Sequence, residues 1–294
     1  PIDLNMEDMF GKAPRTVMRD ETVEEKYEDV TYNAADIHQY VEQVLQLEAV
    51  ACKDWLTNKV DRSVTGKVAR QQCQGEIQLP LSDCGVVALD YRGKSGIATS
   101  IGHAPQAAMI DPAAGSVLSV AEALTNIVWA PLSEGLDSVS LSANWMWPCK
   151  NPGEDARLYK AVEACSRFAC ELGINIPTGK DSLSMTQKYG DEKVYSPGTV
   201  IISAGAEVSD VKKVVSPVLV RDARTAVYYI EFHFETTFGI RKIHFQQGGN
   251  HTSGRNIMSG QYKSFGNKLL YRIESRYKIL AVLHGRSLTT YFPK

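Results

Sequence analysis

The sequence predicts an α+β fold, a mixed or antiparallel sheet with helices packed on one face, followed by the opening of a second α+β domain. Two observations carry that expectation. Extended apolar runs over residues 77–91 and 97–110 flank a Gly93-Lys94-Ser95-Gly96 turn and read as a β-hairpin. Beyond them, helical stretches at about 116–129 and 154–172 alternate with extended runs at 138–147, 174–187 and 198–208, in the order β-β-α-β-α-β-β.

The bulk composition bounds the class. The chain has 294 residues, 44% of them hydrophobic, enough for a buried core and one or two domains. Six cysteines (Cys52, Cys73, Cys84, Cys149, Cys165, Cys170) include no CxxC and no metal-ligand spacing with His, so they read as free thiols of a reducing, cytoplasmic compartment. No apolar run is long enough to span a bilayer, and the polar, acidic N-terminus does not read as a signal peptide. Pro1 in place of Met suggests a chain that starts inside a longer protein. The net charge of −2 conceals an asymmetry, because residues 236–294 carry ten Lys/Arg against the single acid Glu274, which leaves −11 for the first 235. A domain boundary, a nucleic-acid-binding tail or a segment foreign to the fold each produces such a shift. The basic residues are scattered rather than aligned in a stripe, which disfavours nucleic acid.

Each element has a local reason. Residues 1–51 form a charged linker and helical lead-in, with helical apolar spacing at Ile37, Tyr40, Val41, Val44 and Leu45. A turn-like, charged stretch, Asn58 to Gly66, follows. The run from Ile77 to Tyr91 is rich in Val and Leu and is interrupted by Pro80 and Asp83. The first long helix opens after the Asp111 to Gly115 loop with Ser116 in the N-cap position and closes at Ala130-Pro131. Its apolar stripe is Val117, Val120, Ala121, Leu124, Ile127 and Val128, which turns Ser119, Glu122 and Asn126 to the opposite face. The second helix has its apolar positions at Leu158, Ala161, Val162, Cys165, Phe168, Ala169 and Leu172 and stops at Gly173. After the Ser216-Pro217 break, residues 225–234 alternate like the first strand of a new domain, and beyond Glu235 the regularity fades.

Several residues have chemistry to offer. Glu122 and Asn126 lie four apart on one helical face, so their oxygens project toward one point, as magnesium ligands would; a solvated polar face gives the same pattern. Asp83 is the odd carboxylate in a run apolar enough to be buried, and either serves a site or ends a strand. Asn144 fits a strand-end hydrogen bond. Thr178-Gly-Lys-Asp-Ser182 offers Lys180 and Ser182 to an anion and Asp181 to a substrate amide or a metal; a polar strand edge with an ion pair is the plainer reading. Gly93-Lys94-Ser95 is not a phosphate loop, since position 88 is Ala and the segment joins two strands. His103 has no carboxylate, Ser or Cys partner nearby in sequence and reads as structural.

Taken together, these stretches resemble the large, single-chain phosphoribosylformylglycinamidine synthases. The matching segments are Pro1-Ile-Asp-Leu4, Asp61 to Arg70, Leu79 to Asp83, Ser100-Ile-Gly-His103, Glu122-Ala-Leu-Thr-Asn126, Leu141 to Met146, Pro152 to Ala156 and Gly179-Lys-Asp-Ser182, spread over residues 1–235. The resemblance implies an ATP-dependent glutamine amidotransferase of purine synthesis that converts formylglycinamide ribonucleotide to its amidine. It further implies an aminoimidazole ribonucleotide synthetase-like domain over residues 52–210, the start of its C-terminal-type partner at 211–235, and an unmatched basic tail at 236–294 that is disordered or read out of frame. The family places magnesium ligands at Asp83, Glu122 and Asn126 and nucleotide contacts at Lys53, Gln72 and Ser82, where relatives commonly carry a smaller residue than Ser82. These positions belong to an auxiliary ATP/ADP–Mg2+ site, completed by a carboxylate from the partner domain. The implied partners are the remaining synthetase and glutaminase domains, with ATP, glutamine and formylglycinamide ribonucleotide as small molecules. The fragment by itself is then inactive; the alternative is a non-catalytic nucleotide-binding or scaffold module.

Overall fold

The computed structural model describes residues 2–12, 17–23, 26–48, 50–51, 62, 66–218, 225–235, 239–248 and 279–284, the last three stretches by backbone alone. In chain order the strands are β1 (Val68–Arg70), β2 (Cys73–Gln74), β3 (Leu79–Pro80), β4 (Cys84–Ala88), β5 (Gly96–His103), β6 (Ser140–Met146), β7 (Asn175–Ser182), β8 (Thr186–Tyr189), β9 (Glu192–Tyr195), β10 (Thr199–Val208), β11 (Thr225–Glu235), β12 (Gly239–Gly248) and β13 (Ile279–His284). The α-helices are α1 (Met6–Phe10), α2 (Ile37–Leu45), α3 (Pro105–Ile110), α4 (Pro112–Ile127) and α5 (Glu154–Leu172).

The main sheet has the order β1-β4-β5-β10-β6-β7. Its neighbours are antiparallel except for β6 and β7, which run parallel and are joined through α5. Strand alternation separates the two faces. On β5, Ala98 and Ser100 are buried while Ile97 and Ile101 stay exposed; on β10, Val200, Ile202, Ala204, Ala206 and Val208 turn inward. Against this inner face pack Val120, Ala123, Leu124 and Ile127 of α4 and Cys165, Phe168 and Leu172 of α5, forming one core. The α+β class, with its mixed sheet and core-packed helices, is the one the sequence predicts.

The hairpin is β4–β5, turning through residues 89–95, where Asp90 Oδ1 accepts from the backbone N–H of Arg92 and Gly93. It is shorter than the apolar runs suggest. Upstream, residues 73–80 fold into the small β2–β3 pair, and downstream Pro105 opens α3 at its first turn, where a missing N–H costs nothing. The second long helix spans Glu154–Leu172 and ends at Gly173, as expected.

The first long helix departs from expectation at its start. Asp111, not Ser116, is the N-cap: its Oδ1 accepts from Ala113 N at 2.9 Å and Ala114 N at 3.2 Å, with Pro112 at the first helical position. Ser116 is buried inside α4, its hydroxyl donating to Ala113 O at 3.0 Å and across to Ala161 O of α5 at 2.9 Å. Ser119, expected on the outward face, is also buried; it donates to Gly115 O and accepts from Ala104 N. The reason is that α4 is sandwiched between the sheet and α5, so its covered arc is wider than one apolar stripe.

The lead-in is mostly exposed, yet it is anchored. Asp20 accepts hydrogen bonds from the N–H groups of Gly153, Asp155 and Ala156 at the start of α5, which has no side-chain cap of its own. Desolvation raises the Asp20 pKa, but the backbone donors outweigh it and hold the carboxyl below its ordinary value. Tyr27 adds a second tether, its hydroxyl donating to Met109 O at 2.9 Å.

The alternating segment at 225–234 is the strand β11, which pairs antiparallel with β12 on one side and β13 on the other in a separate three-stranded sheet. The remaining stretches of the basic tail lie outside the described residues.

Candidate metal and nucleotide site

The site grows from a gap in strand pairing. β4 pairs with β5 from Ala88–Gly96 to Cys84–Ser100 and goes no further, while β5 continues to His103. Helix α4 supplies side chains to this overhang. Glu122 Oε2 accepts from His103 N at 2.6 Å, and Asn126 Nδ2 donates to Ile101 O at 3.0 Å. Asp83 stands one residue before β4, one step past the Cys84–Ser100 pair and hence alongside Ile101. The three residues proposed as magnesium ligands therefore converge on one corner of the sheet. Asp83 is exposed at a strand end rather than buried in a strand, so its charge needs no buried partner.

The backbone bonds fix how the side chains present themselves. Glu122 engages one carboxylate oxygen and Asn126 its amide nitrogen, which leaves the other carboxylate oxygen and the amide oxygen for a further partner. Two carboxylates and an amide oxygen are a hard-oxygen set suited to magnesium, which keeps open positions for water and phosphate oxygens. Among the described residues no group of three or more His, Cys, Asp or Glu is placed to hold a metal, so this donor set is partial without an amide or a ligand oxygen.

The nucleotide positions adjoin this corner. Ser82 N donates to Gln72 O at 3.1 Å, tying the two together immediately before Asp83. The Ser82 hydroxyl oxygen is buried and has no hydrogen-bond partner, an orphan that a ligand or water would satisfy. Lys53 lies outside the described residues. Behind the corner, Arg70 donates to Gln74 Oε1 at 2.6 Å and to Val214 O at 3.0 Å, stapling the β2–β3 turn and the chain's exit to the sheet; burial lowers its pKa and the Cys84 thiol opposes that shift. Nothing local in the sequence marks Arg70, since its partner Val214 is 144 residues away. Burial pushes the Cys84 thiol up to about 11.

The Lys180 segment does not join this corner. It forms the edge strand β7, where Lys180 Nζ donates to Ser182 Oγ at 2.6 Å and Asp181 is exposed. Gly179 is explained by strand pairing, because a Cβ there would meet Ala143 O of β6 at 2.7 Å. The register runs His103–Ile201–Asn144–Lys180 across four strands, so Lys180 and His103 are roughly 14 Å apart at about 4.8 Å per strand. A cavity of about 530 Å³ lies elsewhere again, at the β4–β5 hairpin between Asp90, Arg92, Lys94, Asp210 and Lys212. Its mixed charges and turn backbone offer no converging donor set.

The family described as "FGAR-AT PurM_N-like domain" matches residues 52–207. The chain is 44% identical over 218 residues to human phosphoribosylformylglycinamidine synthase and 42% identical over 218 residues to that of Drosophila melanogaster, covering 74% of this chain in each case. It spans 16% of the length of each of these relatives. Among solved structures, PurLQS from Thermotoga maritima superposes with a TM-score of 0.51 at 16% identity, covering 80% of this chain and 34% of that one, a likeness of fold. Among the described residues no helix is long and apolar enough to cross a membrane.

Proposed function

Because the chain belongs to the FGAR-AT PurM_N-like domain family, we propose that it is a segment of a cytoplasmic phosphoribosylformylglycinamidine synthase and contributes half of an auxiliary Mg2+–ADP/ATP site. The whole enzyme converts formylglycinamide ribonucleotide, glutamine and ATP to the amidine, glutamate, ADP and phosphate. In this reading turnover belongs to synthetase and glutaminase parts other than this segment, which alone is inactive. Asp83, Glu122 and Asn126 hold the magnesium, which when bound neutralises phosphate charge; Gln72, Ser82 and Lys53 contact the nucleotide.

The observation that supports this best is the convergence of Asp83, Glu122 and Asn126 on the β5 overhang, with the Gln72–Ser82 tie beside it. The backbone N–H of His103 and C=O of Ile101 hold the two helix side chains in place before any ion arrives, as outer-shell groups do in metal sites. A scaffold module without nucleotide is the competing reading. Equilibrium dialysis of Mn2+ and ADP against the full chain, read by electron paramagnetic resonance, separates them. Saturable Mn2+–ADP binding that weakens about tenfold or more in Glu122→Gln, with unchanged circular dichroism, supports the site. Absence of binding, or equal binding by the variant, sinks it.

A further inference from the structure

The lead-in carries a tyrosine whose place in the fold the nucleotide reading leaves unused. Tyr27 lies in Glu24-Glu25-Lys26-Tyr27-Glu28-Asp29, with four acids within three residues of it. Residues 26–33 form no helix or strand, and Tyr27 is 49% exposed. An accessible tyrosine on irregular backbone between acidic neighbours has the form that charge-reading tyrosine kinases accept. Its hydroxyl is also placed against a cation. Tyr27 Oη donates to Met109 O at 2.9 Å, and Arg157 Nη2 donates to the same carbonyl at 2.8 Å and to Ala108 O at 2.6 Å. Two bonds that end on one oxygen put Tyr27 Oη and Arg157 Nη2 no more than about 6 Å apart, the range in which unlike charges act strongly on each other. Arg157 has capacity left: Nε lies 3.5 Å from Glu154 Oε1, and Nη1 makes no hydrogen bond among the described residues.

We propose that Tyr27 is a phosphorylation site, and that its phosphoryl group is captured by Arg157 and locks the lead-in onto α3 and α5. A tyrosine kinase transfers the γ-phosphoryl group of ATP: the Oη–H bond breaks, an Oη–P bond forms, the proton passes to the kinase's base and ADP leaves. The modified oxygen has no hydrogen to give Met109 O, and the last carbonyls of α3 repel the new charge. The Arg157 guanidinium is a cation within reach, and Nη1 supplies donors without Nη2 leaving the α3 carbonyls. A neutral O–H···O contact is thereby exchanged for charge-assisted bonds, which are about twice as strong. Glu28 and Asp29 oppose the phosphoryl group only weakly, since both are exposed and screened by salt. The lead-in, already held at Asp20 by the start of α5, then gains a second charged fastening on the same helix. The inference stands on Tyr27 and Arg157 alone and survives or fails independently of the magnesium corner.

The test uses the full chain with phosphotyrosine at position 27, made by ligating a synthetic 1–51 segment to Cys52 at the start of the remainder. The second ionisation of the phosphoryl group, followed by phosphorus nuclear magnetic resonance, falls near pH 6, roughly, in a free phosphopeptide of residues 20–34. In the full chain it is expected about one unit lower, as pairing with a guanidinium requires. Arg157→Met is expected to return it to the peptide's value, with circular dichroism unchanged. The amides of Gly153, Asp155 and Ala156 are expected to exchange about fivefold more slowly than in the unmodified chain. A kinase selective for acidic flanks, given ATP and the unmodified chain, is expected to label Tyr27 ahead of Tyr32, which is more exposed at 77% but follows Val30 and Thr31. An ionisation in the intact chain that matches the free peptide overturns the proposal, whether or not the Arg157 variant folds. So does a lowered value that persists in folded Arg157→Met, faster amide exchange after phosphorylation, or labelling of Tyr32 that leaves Tyr27 untouched.

Discussion

Gly102→Ala is the sharpest probe of how the magnesium corner is built. Helix α4 lies so close to β5 that a Cβ on Gly102 would collide with Ser119 O and stand 2.5 Å from Ala123 N. Both obstacles are backbone of a 16-residue helix, so no side chain can step aside. To restore contact distance the helix must retreat by about 1 Å, an overpacking strain worth about 1–3 kcal/mol. That retreat also stretches the Glu122–His103 and Asn126–Ile101 hydrogen bonds, which contribute about 1 kcal/mol each. The variant is therefore expected to lose roughly 3–5 kcal/mol, a fall in Tm of about 10 °C or more for a domain of this size. Gly205→Ala is the control, since Gly205 pairs with Thr99 on the neighbouring strand and has no atom within 4 Å of its Cβ position. Urea unfolding followed by tryptophan fluorescence measures both. An unfolding midpoint for Gly102→Ala that matches Gly205→Ala would refute the close helix–strand contact as the organiser of this corner.

The lead-in and the thiols give two more tests. Asp20→Asn is expected to remove hydrogen-exchange protection from the amides of Gly153, Asp155 and Ala156 at pH 7, while amides in β10 stay protected. The folded Asp20 pKa lies below 3.8, so its contribution is fully present above that value and is lost as pH falls through the lowered folded value; the unsubstituted chain should release the same amides only in that acidic window. Protection that is unchanged in Asp20→Asn contradicts the tether. Burial raises the thiols of Cys84 and Cys165 to about 11 and that of Cys149, with help from the Asp155 carboxylate, to about 12. Iodoacetamide at pH 8 should consequently modify Cys170, the exposed thiol among the described cysteines, and spare those three, as peptide mass mapping will show.

Much of the architecture was legible because it is local. The helix over Glu154–Leu172 shows its apolar spacing and its Gly173 stop in the sequence itself, and the Gly93-Lys94-Ser95 turn sits between two apolar runs with no helix to open. The pairing of Glu122 with Asn126 follows from helical geometry alone, since residues four apart share a face. The start of α4 was misplaced because Ser116 and Asp111 both suit an N-cap, and Pro112 as the first helical residue favours Asp111. Ser119 was turned to the wrong side because a single helix does not reveal how many neighbours will cover it.

What the sequence by itself determined, then, is the kind and order of the elements and the donor atoms they carry, since dihedral preference, capping and side-chain period act within a few residues. Only the tertiary structure decided that β10, the last strand of the sheet, enters its middle between β5 and β6, that β4 ends early and leaves Ile101 and His103 to be bonded by α4, and that Asp20 caps a helix 133 residues away. Those outcomes depend on which distant surfaces bury each other and which backbone groups are left over afterwards, and that is settled only when the whole chain packs.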